Sequence, residues 1–401
     1  MKNKNASMVF IFITILVDII GIGIIIPVIP SLIENLTEGG LSEASRIGGW
    51  LIFAFAIMQF LFAPLMGILS DKFGRRPILL LALLGLGIDY IFHAFAPSIG
   101  WLFVGRVFAG ITGASITVAT AYIADISTPE KKAQNFGMIG AAFGLGFIIG
   151  PVIGGLAAKV SLQLPFLIAA GLTLLNVVYG FFILPESLAP EKRREVDLKR
   201  ANPLGSLKLI RKYPIVAGLM VSFFLVYMAS QAVQTTWTYF TMFKFEWDET
   251  MVGYSLGVVG VIVAIVQGGL VKYAVKLWGE KKTIYIGYVF WIIGLTLFAS
   301  TTQGWMLFAF LLPYCLGGIA SPTLQGVVSN QVADNEQGEL QGAMTALISL
   351  SSIIGPLVMT NLFYQFTQDD APFQFAGAPF ALGAVLVLAS FILSRKSLRK
   401  I

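Results

Sequence analysis

Three charged side chains stand inside apolar runs long enough to cross a bilayer: Asp18, Asp89 and Arg106. A charge at the bilayer centre costs roughly 2.5–3.5 kcal/mol on insertion scales, so such residues pair or line a polar cavity. Two acids against one arginine leave one carboxylate without a partner. A carboxyl that takes up and releases a proton is what proton coupling requires. Asp18 and Asp89 lie at similar depth, so either qualifies as the coupling residue; a permanent structural pair with Arg106 is the alternative. His93 follows Asp89 by one turn and shares its face. It reads either as a relay or as a cavity-lining packing residue.

Beyond residue 213 the polar groups inside apolar runs are neutral. Gln231, Gln234 and Trp237 lie in one run, Gln267, Trp291 and Gln325 in later ones, and Phe240 is close by. With Gln59 from the first half they suit an amphipathic, partly aromatic ligand held by amide hydrogen bonds and stacking. Each also reads singly as glue between helices.

The elements that carry these residues follow from composition. Apolar residues make up 57% of the 401 positions and charged ones 12%, about half the charge of a soluble domain. Spans of about 20 apolar residues are expected at 8–30, 47–69, 78–97, 101–123, 136–158, 164–184, 214–238, 251–271, 283–301, 305–328, 341–364 and 375–394. They are spans 1 to 12 below. Span 1 is too long for a signal-peptide apolar region and lacks a small-residue cleavage site. With the N-terminus inside, only Arg46, Lys159 and Lys244 of the 27 Lys and Arg fall outside, and Arg106 lies within a span. That asymmetry predicts cytoplasmic termini. It also makes the net charge of +6 a topology signal rather than a nucleic-acid footprint.

An offset of 205 residues superposes Gly48 on Gly253, Gly74 on Gly279, Gly113 on Gly318, Gly137 on Gly342, and Gly150-Pro151 on Gly355-Pro356. One gapless offset serving several spans and loops marks an internal repeat. The expected fold is all-α and membrane-integral: twelve transmembrane helices in two six-helix bundles, 1–184 and 214–401, joined by a basic linker at 185–213. Parallel repeats of this kind place substrate where the halves meet.

Between spans 2 and 3 stands Gly67-Ile-Leu-Ser-Asp71-Lys-Phe-Gly74-Arg75-Arg76-Pro77. It reads as a tight turn at Gly74, with an acid that can cap a neighbouring helix and cations that hold the turn to the inner surface. This stretch resembles motif A of the major facilitator superfamily. Arg106-Val-Phe-Ala-Gly110-Ile-Thr-Gly113 resembles its motif B. Gly146-Phe-Ile-Ile-Gly150-Pro151-Val-Ile-Gly154-Gly155 resembles motif C, which marks antiporters. Asp18 to Pro27, Asp89-Tyr90, Trp278-Gly-Glu-Lys281 and Leu324-Gln325-Gly326-Val327 extend the likeness over most of the chain, nearest to the twelve-helix tetracycline efflux proteins.

That resemblance implies a cytoplasmic gate in which Asp71, Arg75 and Asp125 form a charge network, with Asp71 facing the start of span 11 near Gln341. It implies a bend at Pro151 that seals against leak; a packing kink is the plainer reading. It also implies residence in the bacterial cytoplasmic membrane. The likeness breaks at two positions. The tetracycline exporters characteristically carry an acid in span 9 and, in some, a histidine in span 8. Alignment on Trp278-Gly-Glu-Lys281 puts Trp291 and Val263 there.

The sequence therefore predicts a proton-coupled antiporter exporting amphipathic small molecules, tetracycline-like drugs first. It is expected to work as a monomer, driven by the proton gradient without a bound cofactor. A transporter of a polar metabolite is the alternative. A membrane enzyme or receptor has no support, since no metal cluster, nucleophile constellation or phosphate loop is present.

Overall fold

Apolar runs punctuated by Gly and Pro become helices that satisfy their own backbone, the requirement a bilayer imposes. The computed structural model describes residues 4–128, 131–195, 214–333 and 336–399. The rest of the expected linker, 196–213 with Lys199 and Arg200, lies outside the described residues, as does Lys2.

Among the described residues, eleven helical runs are long and apolar enough to cross a membrane. One of them, Glu249–Ser300, has 52 residues and breaks at Gly279, where φ is 74° and ψ 164°. It therefore holds spans 8 and 9, which gives twelve crossings. Span 1 is Lys4–Ile25 and stops short of the expected residue 30. Pro27 and Pro30 end it, and a separate short helix, Ile29–Asn35, follows. Span 2 (Gly40–Phe73) is longer than its apolar core, because polar residues at both ends continue the helix. Span 4 is two helices, Ile99–Thr112 and Ser115–Ile126, parted at Gly113-Ala114. Span 10 is likewise interrupted, by a 3-10 turn at Gly317–Ile319. Span 3 is Arg75–Ala94, span 5 Lys132–Ala158, span 6 Leu164–Ile183, span 7 Pro214–Phe245, span 11 Gln337–Gln365 and span 12 Ala378–Leu398.

The repeat is visible in the backbone. Gly74 has φ 105° and ψ 159°, close to the values at Gly279, its partner at the 205-residue offset. Packing repeats too. Span 1 packs on 5 and 6 and span 3 on 4 and 6; in the second half span 7 packs on 11 and 12 and span 9 on 10 and 12.

Two units result. One comprises 4–38, 54–195 and 248–260, the other 39–53, 214–247 and 261–399. Spans 2 and 8 are thus each shared between them. In the first unit Thr250 at the start of span 8 donates to the Gly155 carbonyl at 3.0 Å. In the second, Ser42 at the start of span 2 donates to Thr367 Oγ1 at 2.7 Å, and Arg46 lies over the Tyr364 ring at 4.5 Å.

The first unit has an aliphatic core, with Ile11, Ile15 and Ile19 against Leu79, Leu83, Val118 and Tyr122. The second has an aromatic one, where Trp237 and Phe240 pack edge-on against Phe298 and Phe380. A buried hydroxyl cluster of Ser222, Tyr288, Ser390 and Ser394 ties spans 7, 9 and 12 together.

Candidate functional site

Asp89 and Arg106 lie on spans 3 and 4, which pack because glycines let them approach. Arg106 Nη2 donates to Asp89 Oδ2, and the carboxylate is fully buried. A Cβ on Gly105 would stand 2.5 Å from Asp89 Oδ1, so the bare backbone there makes room for the acid. His93 Nδ1 lies 2.8 Å from the Asp89 carbonyl and 3.2 Å from Asp89 Oδ1, and its ring stacks on Phe166 of span 6. The guanidinium also sits over the Phe55 ring at 5.6 Å.

Asp18 is placed differently. It is 2% exposed, and its one hydrogen bond comes from Ser115, whose hydroxyl donates to Oδ2 at 2.7 Å. Oδ1 has no partner. Ser115 opens the second helix of span 4, so the break at Gly113-Ala114 delivers the hydroxyl to the carboxylate. Nothing in the sequence had marked Ser115. Gln59, on span 2, donates at 2.6 Å to the Gly113 carbonyl that the same break exposes.

At the span 2–span 3 turn, Arg75 Nη1 pairs with Asp71 Oδ1 at 2.6 Å and Arg75 Nε with Asp125 Oδ2 at 3.1 Å. Ser70 accepts from the same guanidinium at 2.7 Å and donates to the Gly67 carbonyl at 2.7 Å. Arg76 donates to the Phe181 carbonyl and lies over the Phe181 ring at 5.5 Å. The N-terminus of span 3 is capped from outside the turn. Glu186, just past span 6, accepts from the backbone N–H groups of Arg75 at 2.8 Å and Arg76 at 3.1 Å. It also accepts from Ser187 and Leu188 of its own loop. Arg194 N donates to the Asp71 carbonyl at 3.1 Å and Ser187 Oγ to Asp125 at 3.1 Å. The linker's first residues are thereby stitched to the turn. Sequence reading missed Glu186; its signal was an acid directly after an apolar run, in a loop valued only for its cations.

A family model described as Major Facilitator Superfamily matches residues 11–356 and, in a second match, 269–400. The class C tetracycline resistance protein of Escherichia coli is 44% identical over 363 residues, 90% of this chain and 91% of that protein. The chain belongs to the Major Facilitator Superfamily. A second relative, the class E tetracycline resistance protein of Escherichia coli, is 41% identical over 90% of this chain and 88% of its own. The crystal structure of the nucleoside transporter NupG matches with a TM-score of 0.75 at 14% identity, covering 100% of this chain and 99% of that one. That likeness concerns the fold alone. Superfamily membership makes this a multi-pass membrane transporter of small molecules, not an enzyme.

The stretch that resembles motif C is a glycine face. Added Cβ atoms at Gly146, Gly150 and Gly154 would meet Ile19, Gly23 and Ile24 of span 1, while Gly155 meets Glu249 and Thr250 of span 8. Span 5 stays one helix through Pro151, and Gly253 packs on the Pro151 carbonyl. In motif B, Gly110 packs against the Phe55 backbone. Beside these contacts Glu249 accepts from Ser31. Partial burial and the nearby Glu249 hold the Glu34 carboxyl above the usual glutamate range.

In the second unit the neutral candidates separate. Trp237 and Phe240 are buried in the aromatic core. Gln231 packs on Gly355. Gln234 is exposed and donates to Ser230 at 3.2 Å. Gln267 is exposed on a π-helical turn, Val266–Leu270, a distortion frequent at functional sites. Gln325 reaches Gln341 at 3.4 Å. Trp291 packs on Gly317 and, with Ser230 and Tyr314, lines a recess of about 10 Å³, room for about one water.

Proposed function

We propose that this transporter is a proton-coupled antiporter that exports amphipathic drugs, tetracyclines first, by alternating access across the bacterial cytoplasmic membrane. Both termini would face the cytoplasm, on the charge asymmetry of the loops. It would work as a monomer, with the proton gradient as its drive and no bound cofactor.

One observation carries the coupling assignment. Of the two membrane acids, Asp89 is paired with Arg106, whereas the hydrogen-bond donor to Asp18 is the neutral Ser115 hydroxyl, with no arginine or lysine beside it among the described residues. A carboxylate neutralised by arginine has little use for a proton. A buried carboxylate without a counter-charge is stabilised by one, so proton binding changes its energy most. Asp18 is therefore the proton carrier, and Asp89–Arg106 the fixed pair that keeps span 4 against span 3. Protonation of Asp18 on one side and release on the other would alternate with drug binding. The charge cluster of Asp71, Arg75 and Asp125 would hold one gate state.

The drug class is supported by relatives named for tetracycline resistance at 44% and 41% identity. Trp291, where the resemblance expects an acid, weighs against a charged metal chelate of tetracycline, so the amphipathic drug of this reading is carried in an uncharged form.

The test is proton flux in proteoliposomes with an acid-loaded lumen while tetracycline and other amphipathic drugs are added. Antiport predicts drug-dependent alkalinisation of the lumen, lost in Asp18→Asn protein that still inserts. Full gradient-driven transport by Asp18→Asn removes the coupling assignment. Flux triggered by a polar nutrient and by no drug favours the metabolite reading instead.

A further inference from the structure

Asp18 Oδ1, Tyr90 Oη and Thr173 Oγ1 are three of the eight buried polar side-chain atoms that have no hydrogen-bond partner among the described residues. Thr173 differs from other threonines of this chain. Thr14, Thr112, Thr120, Thr235 and Thr323 all donate to the carbonyl four residues back, the ordinary way a membrane helix satisfies a threonine. Thr173 does not. Its methyl group faces Gly87 and its hydroxyl turns away from its own helix.

The hydroxyl turns toward Gly21. A Cβ built on Gly21 would lie 3.2 Å from Thr173 Oγ1 and 3.5 Å from Tyr90 Oη. Gly21 follows Asp18 by three residues and so shares its face of span 1. Its neighbours differ in kind from those of Gly23, two residues on, which meets the Gly146 carbonyl and Gly150 Cα. Gly23 lets a helix backbone approach; Gly21 lets the Thr173 and Tyr90 hydroxyl tips close on span 1 where a Cβ would crowd them.

We propose that Gly21, Tyr90 and Thr173 build a hydration site that holds one water against the unpartnered oxygen of Asp18. Tyr90 is then a positioning residue for the proton carried there. The inference rests on the reading of Asp18 as the proton carrier. Buried waters sit where two to four polar groups converge. Tyr and Thr hydroxyls both donate and accept, so the site serves either state of the acid. When Asp18 is ionised the water donates to Oδ1 and accepts from a hydroxyl; when Asp18 is protonated its O–H donates to the water and the hydroxyls rotate.

The charged and titratable groups well inside spans 3 and 4 are Asp89, Tyr90 and His93, and Arg106 and Tyr122. Tyr90 lies within range of the charges on Asp18, Asp89 and Arg106. Span 5 carries no ionisable side chain between Asn135 and Ala158. The single one in span 6, Tyr179, packs on Phe10 two turns of span 1 away.

The experiment is infrared difference spectroscopy of the full-length protein in lipid, titrated with protons alone. The protonated-carboxyl band lost in Asp18→Asn identifies Asp18. Gly21→Ala and Tyr90→Phe should each move that band's midpoint by about half a pH unit, roughly threefold in proton affinity. Gly21→Ser should lie nearer wild type than Gly21→Ala, because its hydroxyl takes the water's place. Gly23→Ala, a packing change, should leave the midpoint alone. Unchanged midpoints in Gly21→Ala and Tyr90→Phe overturn the hydration site, as do equal shifts for the Ser and Ala variants. If Gly21→Ala does not fold, the near-isosteric Tyr90→Phe and Thr173→Val decide by the same midpoint. A spectrum in which Asp18→Asn removes no band overturns the proton-carrier reading itself, a result distinct from the others.

Discussion

Arg106 and Asp89 form a charge-assisted hydrogen bond between spans 4 and 3, and Asp18 stands outside that pair. Removing one partner of a buried pair leaves the other uncompensated, which costs about 3–5 kcal/mol. Arg106→Ala should therefore lower the unfolding temperature in detergent sharply, and Asp89→Asn combined with Arg106→Gln should recover much of the loss. A double-mutant cycle with no coupling energy would argue that the pair is incidental.

Gly105→Ala tests the same pair from the backbone side. Its Cβ would crowd Asp89 Oδ1 and stand 3.2 Å from Phe92 Cβ. Overpacking of this kind costs about 1–3 kcal/mol. The loss should shrink when Arg106 is already alanine, since a displaced carboxylate then has no partner to lose. Equal losses in both backgrounds would mean that only the Phe92 contact matters.

Glu186→Ala removes the acceptor for four backbone N–H groups, two of them at the start of span 3. Loss of a cap costs about 1 kcal/mol, and the helix-dipole contribution adds to it. The same change should free the linker, so trypsin should cut at the exposed Arg193 and Arg194 several times faster than in wild type. An unaltered cleavage rate would separate the cap from the linker.

Gly74 and Gly279 offer a matched comparison. Both hold backbone angles that L side chains rarely adopt, at about 1–3 kcal/mol each for an alanine. Only Gly74 has a neighbour in the way, the Glu186 carboxylate; Gly279 has nothing within 4 Å. Thermal unfolding should rank Gly74→Ala clearly below Gly279→Ala. The reverse order would contradict the packing at the turn.

Glu34 makes stability depend on pH. Its folded-state carboxyl titrates above the ordinary value of 4.5 because of burial and Glu249. The folded state then binds the proton more tightly than the unfolded chain does. Stability from this group is fully present below 4.5 and declines as pH rises through the raised value. Glu34→Gln should flatten that decline and raise the unfolding temperature at neutral pH, read from melting curves between about pH 4 and pH 8. A steeper decline in the variant would reverse the assigned sign.

Much of the fold was legible in one dimension. Hydropathy placed the spans because each must satisfy a bilayer on its own, and the 205-residue offset found repeat partners whose backbones match at Gly74 and Gly279. Ends were harder. Pro27 and Pro30 stop span 1 early, and the polar residues that extend span 2 carry no hydropathy signal. Among the charged groups, Asp71, Arg75 and Asp125 came together as the motif implied. Trp237 and Phe240, read as ligand-facing aromatics, lie in a buried cluster, because an aromatic on a membrane helix looks the same in sequence whichever neighbour it meets.

The sequence by itself determined that the chain crosses a membrane in two related halves and that three charges lie within the first. Those properties depend on local composition and spacing. Which acid takes the arginine, which receives only the Ser115 hydroxyl, and that Glu186 caps span 3 were decided by tertiary structure alone. A hydrogen bond depends on distances of a few tenths of an ångström between residues up to 111 positions apart, and spacing along a chain does not encode them.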